Sequence, residues 1–104
     1  MKLVTVEALQ GCNYEEIGIV SGSTIQAKNM FADLGQQLKG IVGGELGSYT
    51  GMMEKAREIA TQRMVNNAVR LGADAILGVR FTTNSIMAQA AEVLVFGTAV
   101  RYKN

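Results

Sequence analysis

One stretch of the chain decides the fold: from Gly40 to Val79 it reads GIVGGELGSYTGMMEKAREIATQRMVNNAVRLGADAILGV. A glycine-rich turn leads into a segment whose apolar residues recur every three or four positions. That stripe consists of Tyr49, Met52, Met53, Ala56, Ile59, Ala60, Met64, Ala68 and Leu71. The spacing predicts an amphipathic helix, with Ser48 as its N-cap and Gly72 as a left-handed C-cap.

The residues before this stretch predict two strands and a shorter helix. Residues 3–9 and 14–20 are rich in β-branched residues and flank the turn formers Gly11, Cys12 and Asn13, which favours a hairpin. Residues 21–23, Ser-Gly-Ser, predict the end of the second strand, and residues 24–27 a short extended piece. Asn29 has the properties of an N-cap for a first helix that ends by Gly43 and Gly44.

Two β-rich runs follow the long helix, residues 75–87 and 92–102, joined by a link of hairpin length over residues 88–91. In the first run Leu77, Val79 and Phe81 are predicted on one face. The second run is apolar on both faces, which in so small a domain indicates that its outer face meets another subunit. The length and the pattern therefore predict a single α+β domain over residues 1–104, in which strands pack on the long helix.

Composition limits the possible partners. The 104 residues carry a formal net charge of +1 and no basic run, which argues against nucleic-acid binding. No apolar segment reaches the length of a bilayer span, and the N-terminal segment is too short and too charged for a signal sequence. A single cysteine predicts no internal disulfide and a reducing cytoplasm.

The chain contains no histidine, which removes most hydrolytic triads and most zinc sites. Glu54 and Glu58, one helical turn apart, could act as a carboxylate pair only if both faced a cleft, and a solvated helix face is the simpler interpretation. No acid, base and nucleophile set is identifiable, so the sequence predicts a protein that is not an enzyme.

The glycine-rich turn before the long helix has two interpretations. The free N–H groups and the positive dipole end of a helix N-terminus can hold a small anion, yet the turn lacks the Lys-Ser or Lys-Thr pair of a phosphate-binding loop. The glycines can equally serve only to turn the backbone. The candidate anion-binding residues are Gly43, Gly44, Gly47, Ser48, Tyr49 and Thr50.

Sulfur atoms provide the only candidate ligands for a soft or transition metal ion. The helical methionines fall on the apolar stripe, where methionine usually fills gaps in a core. Cys12 lies in a predicted turn and is therefore expected to be exposed. It is the one candidate metal thiolate in the sequence.

Several segments together resemble the YbjQ-like family, which is associated with heavy-metal binding. They are GIVSGSTIQAKN from Gly18, IVGGELGSYTGMMEKAREIA from Ile41, LGADAILGV from Leu71 and FGTAV from Phe96. The resemblance implies a dodecin-like subunit in which an antiparallel sheet is packed on helix, with the subunits arranged as a cyclic homopentamer. It also implies a small bacterial cytoplasmic protein. Relatives often carry acidic residues after LGADAILGV, where this chain has Arg80, Phe81, Thr82 and Thr83, so an acidic cation site in that strand is not expected here.

Two functions of different class follow. The first is a binding protein that holds a metal ion or a small ligand at a subunit interface or at the glycine turn. The second is a structural or partner-binding oligomer without a ligand. Five copies of Cys12 around a five-fold axis would match no tetrahedral zinc site, so a metal would need donors mixed across one interface.

Overall fold

In the described part of the chain, one long helix packs on one face of a four-stranded sheet, which confirms the α+β class. The computed structural model describes residues 1–27, 47–87 and 90–104, and for residues 47–49 the backbone alone. The described elements, in chain order, are β1 (Lys2–Leu3), β2 (Asn13–Ala27), α1 (Gly47–Arg70), β3 (Ala75–Met87) and β4 (Ala90–Lys103). The predicted first helix and the link residues 88–89 lie outside the described residues.

The sheet is mixed, so the prediction of an antiparallel sheet is wrong in one respect. The strand order is β1-β3-β4-β2. β4 pairs antiparallel with β2 and with β3, and the long β2–β4 ladder runs from Asn13 opposite Lys103 to Ala27 opposite Ala90. β1 instead pairs parallel with β3, with Lys2 opposite Ala75.

The predicted hairpin between the first two strands does not form, because the N-terminal segment pairs with β3 at the far edge of the sheet. β1 itself has only two residues, where residues 3–9 were predicted. Backbone bonds continue past it: Val4 N–H donates to the Ile76 carbonyl at 3.0 Å and Gly78 N–H donates to the Val6 carbonyl at 2.8 Å. This arrangement packs Val4 and Leu9 against buried residues of β3 and β4, an apolar burial that a local hairpin would forgo.

β2 continues through Ser21, Gly22 and Ser23, which were predicted to end it. Alternation along the strand turns both serines away from the helix and Gly22 towards it, and β4 pairs with all three residues. A Cβ atom on Gly22 would lie closer than 3.0 Å to the backbone of Ala60 and Met64 in α1. Helix and sheet therefore come very close at Gly22, and this residue does not end the strand.

The helix agrees closely with its prediction. The middle of the predicted stripe is buried against the sheet: Met52, Ala56, Ala60, Met64 and Ala68. Small residues dominate this face because α1 lies so near to the strands. α1 begins at Gly47, so Ser48 lies within the helix and does not cap it.

The helix C-terminus confirms the predicted glycine cap. Gly72 has φ of 77°. Its N–H donates to the Val69 carbonyl at 3.0 Å, and Ala73 N–H donates to the Ala68 carbonyl at 3.0 Å. These two bonds define a Schellman motif, in which a left-handed residue lets the chain leave the helix with its last carbonyls satisfied.

A bulge at Gly78 changes which residues of β3 share a face. Gly78 has φ of 61°, and the pairing register of β3 with β4 shifts between Leu77 and Arg80. Leu77 therefore packs under the N-terminal segment, whereas Val79 packs under the helix. Phe81, opposite Val95, also lies on the helix side. The predicted common face of Leu77 and Phe81 is wrong, because the extra residue reverses the alternation.

Two helix side chains cover the middle of the β2 edge. Arg63 Nη1 donates to the Ser23 carbonyl at 2.8 Å, and Asn67 Nδ2 donates to the Ser21 carbonyl at 2.8 Å. An edge strand otherwise presents such groups to any extended chain. Part of this edge is thus satisfied within the subunit.

Candidate functional site

The face of the sheet that points away from α1 is divided into a covered and an open part. In the covered part the N-terminal segment lies over Ala75, Leu77 and Val100, which are buried. In the open part the strands present large apolar side chains to solvent. We call this open part the outer face, and its members are Ile19 and Ile25 of β2 with Leu94 and Phe96 of β4.

The outer face presents several large apolar side chains that are exposed or half-buried. Ile19 is 84% exposed, Ile25 57% and Phe96 38%, while Leu94 is half-buried. β4 is thus apolar on both sides, as its sequence predicts, with Val93 and Val95 buried under α1. Exposed apolar residues that are contiguous on one surface mark an interaction site.

A groove lies on the opposite side of the sheet, between α1 and the half of β3 that follows the bulge. It has a volume of about 730 Å³ and is lined by Glu54, Arg57, Glu58, Thr61, Gln62 and Phe81. Both glutamates that could act as a carboxylate pair therefore face a cleft, which is an open one. Phe81 is 48% exposed at this groove.

The predicted metal thiolate is placed on the surface. Cys12 is exposed and unpaired, in the loop before β2, as its turn position indicates. Within residues 1–27, 47–87 and 90–104, no three His, Cys, Asp or Glu side chains converge in a way that could hold a metal ion. A metal bound through Cys12 would need donors from outside this set.

The methionines divide by position. Met52 and Met64 are buried in the core, which confirms their predicted packing role, whereas Met87 at the end of β3 is 65% exposed. Met30 lies outside the described residues. The described part of the chain therefore provides one exposed thiol, on Cys12, and two exposed thioethers, on Met1 (47% exposed) and Met87.

The predicted anion site is described only in part. Gly43 and Gly44 lie outside the described residues, and Gly47, Ser48 and Tyr49 form the first turn of α1, with only their backbone described. The Thr50 side chain is half-buried. An anion site at the backbone N–H groups of this turn therefore stays a prediction.

Sequence reasoning missed two features of these surfaces. Ile19 and Ile25 share the outer face only because β2 is continuous through Ser21 and Ser23, so the predicted break concealed their alignment. Phe81 reaches the helix side only because of the bulge at Gly78. A glycine within a strand pattern is a signal for a bulge, and it could have indicated this change of face.

Known proteins resemble this chain along nearly its whole length. A family model described as "Putative heavy-metal-binding" matches residues 1–103. The chain belongs to the YbjQ family. Within it, a UPF0145 protein of Clostridium novyi (strain NT) is 52% identical over 101 residues, covering 97% of this chain and 98% of that protein. A UPF0145 protein of Thermus thermophilus is 51% identical over 98 residues, which cover 93% of this chain and 86% of that protein.

A solved structure of the YbjQ type confirms the fold. It is a protein of unknown function of the DUF74 family from Pediococcus pentosaceus, with a TM-score of 0.71 over 99% of this chain and 98% of that one. The sequence identity is 16%, so the likeness concerns the fold alone. No helix of the described residues is long and apolar enough to span a lipid bilayer.

Proposed function

We propose that this protein is a non-catalytic, self-associating binding protein of the cytoplasm whose subunits assemble through the outer face. The observation that carries the proposal is the exposure of Ile19, Ile25 and Phe96 on one sheet surface. Burying these side chains against another copy would contribute about 25 cal/mol for each Å² of apolar area removed from water. The family resemblance implies that the assembly is a cyclic homopentamer.

The ligand we propose is a soft or transition metal ion, held where subunits meet. The description of the YbjQ family supports the ligand class. The proposed position of the metal, between subunits, is supported by the scarcity of ligands in one subunit: the described residues contain no converging group of three His, Cys, Asp or Glu side chains. Cys12, exposed before β2, would contribute one thiolate, and a neighbouring subunit would contribute the others.

Light scattering tests the assembly. We expect the wild-type protein to have the mass of several chains, and Ile25→Lys to shift it towards one chain, because a buried unpaired charge is costly. Val69→Lys is the matched control, since Val69 is 60% exposed on the helix, away from the outer face. A wild-type monomer, or an Ile25→Lys variant with unchanged mass, would contradict the proposal.

Titration of the reduced protein with copper(I) and with zinc tests the ligand. We expect saturable binding that is lost in Cys12→Ala and also weakened in the Ile25→Lys variant. Binding that survives Cys12→Ala would remove the thiolate from the site. Absence of saturable binding by the wild-type protein would favour the other function, a structural or partner-binding oligomer without a ligand.

A further inference from the structure

We propose that the groove between α1 and β3 is a docking site for an extended peptide segment of a partner protein, with lysine or arginine at every second position. This inference goes beyond the proposed function. The groove lies on the helix side of the sheet, and the outer face lies on the other side. Covering the outer face with a second subunit therefore leaves the groove open, and each copy in an oligomer would present one.

The edge of β3 beside the groove provides the backbone partner for such a segment. The N-terminal segment leaves β3 at Val79, whose N–H donates to the Val4 carbonyl at 3.0 Å. From Phe81 to Met87, β4 pairs with one side of β3, and no strand among the described residues pairs with the other. An unpaired strand edge can accept an extended peptide as an additional strand.

The side chains of the groove determine what that strand would carry. Phe81 lies on its sheet side, and Glu54 and Glu58 lie on its helix side. The ion pairs among the described residues are Arg80–Glu7 and Arg101–Glu15, so no described residue neutralises either groove glutamate by a salt bridge. Among the described residues that line the groove Arg57 is the one cation, so this described lining has a net charge of −1 (two Glu against one Arg). A basic segment complements this charge.

The spacing of the carboxylates matches an added strand. Residues four apart on a helix are separated by about 6 Å along its axis. Side chains two apart on a strand, which share a face, are separated by about 6.7 Å. The helix also runs alongside β2, since Arg63 reaches Ser23 while Asn67 reaches Ser21. Consecutive basic residues on the helix side of an added strand would therefore meet Glu54 and Glu58 in turn.

Fluorescence anisotropy with a labelled peptide tests the docking. The probe is an eight-residue peptide that alternates lysine with threonine, compared with a peptide of equal composition that has its four lysines in one block. We expect saturable binding of the alternating peptide, weaker binding of the block peptide, and loss of binding when alternate backbone amides are N-methylated. Equal binding of all three peptides would overturn the proposal, as would no binding of the alternating one.

Variants of the protein locate the site. We expect Glu58→Gln to weaken binding of the alternating peptide about two- to fivefold, as for an exposed ion pair, and Glu54→Gln to act similarly. Glu16→Gln is the matched control, since Glu16 is exposed on β2. Equal effects of Glu58→Gln and Glu16→Gln would overturn the placement in the groove. Light scattering on the same samples reports the assembly separately, so a failure of one proposal is distinguishable from a failure of the other.

Discussion

Gly22 is a position where one added carbon atom should strongly perturb the fold. The Cβ atom of Gly22→Ala would lie closer than 3.0 Å to backbone atoms of both Ala60 and Met64, and 3.0 Å from the Arg63 carbonyl carbon. These are helix backbone atoms, which cannot rotate away as a side chain can. Restoring ordinary contact distances requires α1 to move outward by roughly 1 Å, the extent of the missing van der Waals separation.

The loss in stability follows from the packing between α1 and the sheet that this movement loosens. Ala56, Ala60, Met64 and Ala68 all pack against the sheet with no exposed surface. Overpacking of a core typically costs about 1–3 kcal/mol, and a backbone clash belongs at the upper end. Replacing glycine by alanine also restricts the unfolded chain, which returns about 0.4–1 kcal/mol. The expected net loss in the free energy of unfolding is therefore about 2 kcal/mol.

Urea unfolding, followed by circular dichroism at one fixed protein concentration, measures this loss. The matched control is Gly51→Ala, the same substitution at an exposed helix position where an added Cβ meets nothing within 4 Å. We expect the free energy of unfolding of this control to rise by up to about 1 kcal/mol, because alanine is the better helix former. If Gly22→Ala were as stable as the wild-type protein, the close approach of helix and sheet at this point would be refuted.

Three further predictions concern the helix and the sheet edge. Gly72→Val should lower the free energy of unfolding by about 1–2 kcal/mol, because φ of 77° is unfavourable for a residue with a Cβ atom, whereas Gly72→Asn should be tolerated. Thermal unfolding compares the two variants, and equal losses of stability would argue against the left-handed cap. Met64→Ala should cost about 2–5 kcal/mol in urea unfolding, because Met64 is fully buried, and Leu71→Ala, at a 45% exposed residue, is the control that should cost much less. The double variant Arg63→Ala/Asn67→Ala should aggregate faster in a thioflavin assay than the control variant Glu54→Ala/Glu58→Ala. Only the first variant uncovers the Ser21 and Ser23 carbonyls at the β2 edge, so equal aggregation rates would show that covering this edge does not protect the protein.

The elements with a local cause were predictable from the sequence. The helix stripe and Gly72 determine α1 and its end without reference to the rest of the chain, and β3 extends over the predicted residues 75–87. The exposure of Cys12 also followed from its turn position. In each case a short-range pattern and the tertiary packing agree.

The incorrect predictions arise where a long-range contact outweighs a local preference. Ser21 and Ser23 favour a turn, yet fourteen aligned pairs with β4 keep β2 continuous. The N-terminal segment had a nearby hairpin partner, but it pairs with β3 instead, where Val4 and Leu9 pack against buried residues of β3 and β4. The groove was not predictable because it depends on one bulge at Gly78 and on the distance between α1 and β3. Both are properties of the assembled fold.

The bonds from Arg63 and Asn67 to the β2 edge have a consequence for how copies of this chain can join. A strand that added to the middle of β2 would have to displace two hydrogen bonds that the subunit already makes. The two edges of the sheet are therefore unequal, since the second half of β3 has no described counterpart of this cover. Unlimited growth of a fibre by edge pairing requires a donor edge and an acceptor edge on every copy. By covering the middle of one of them, the helix makes polymerisation through strand edges less favourable.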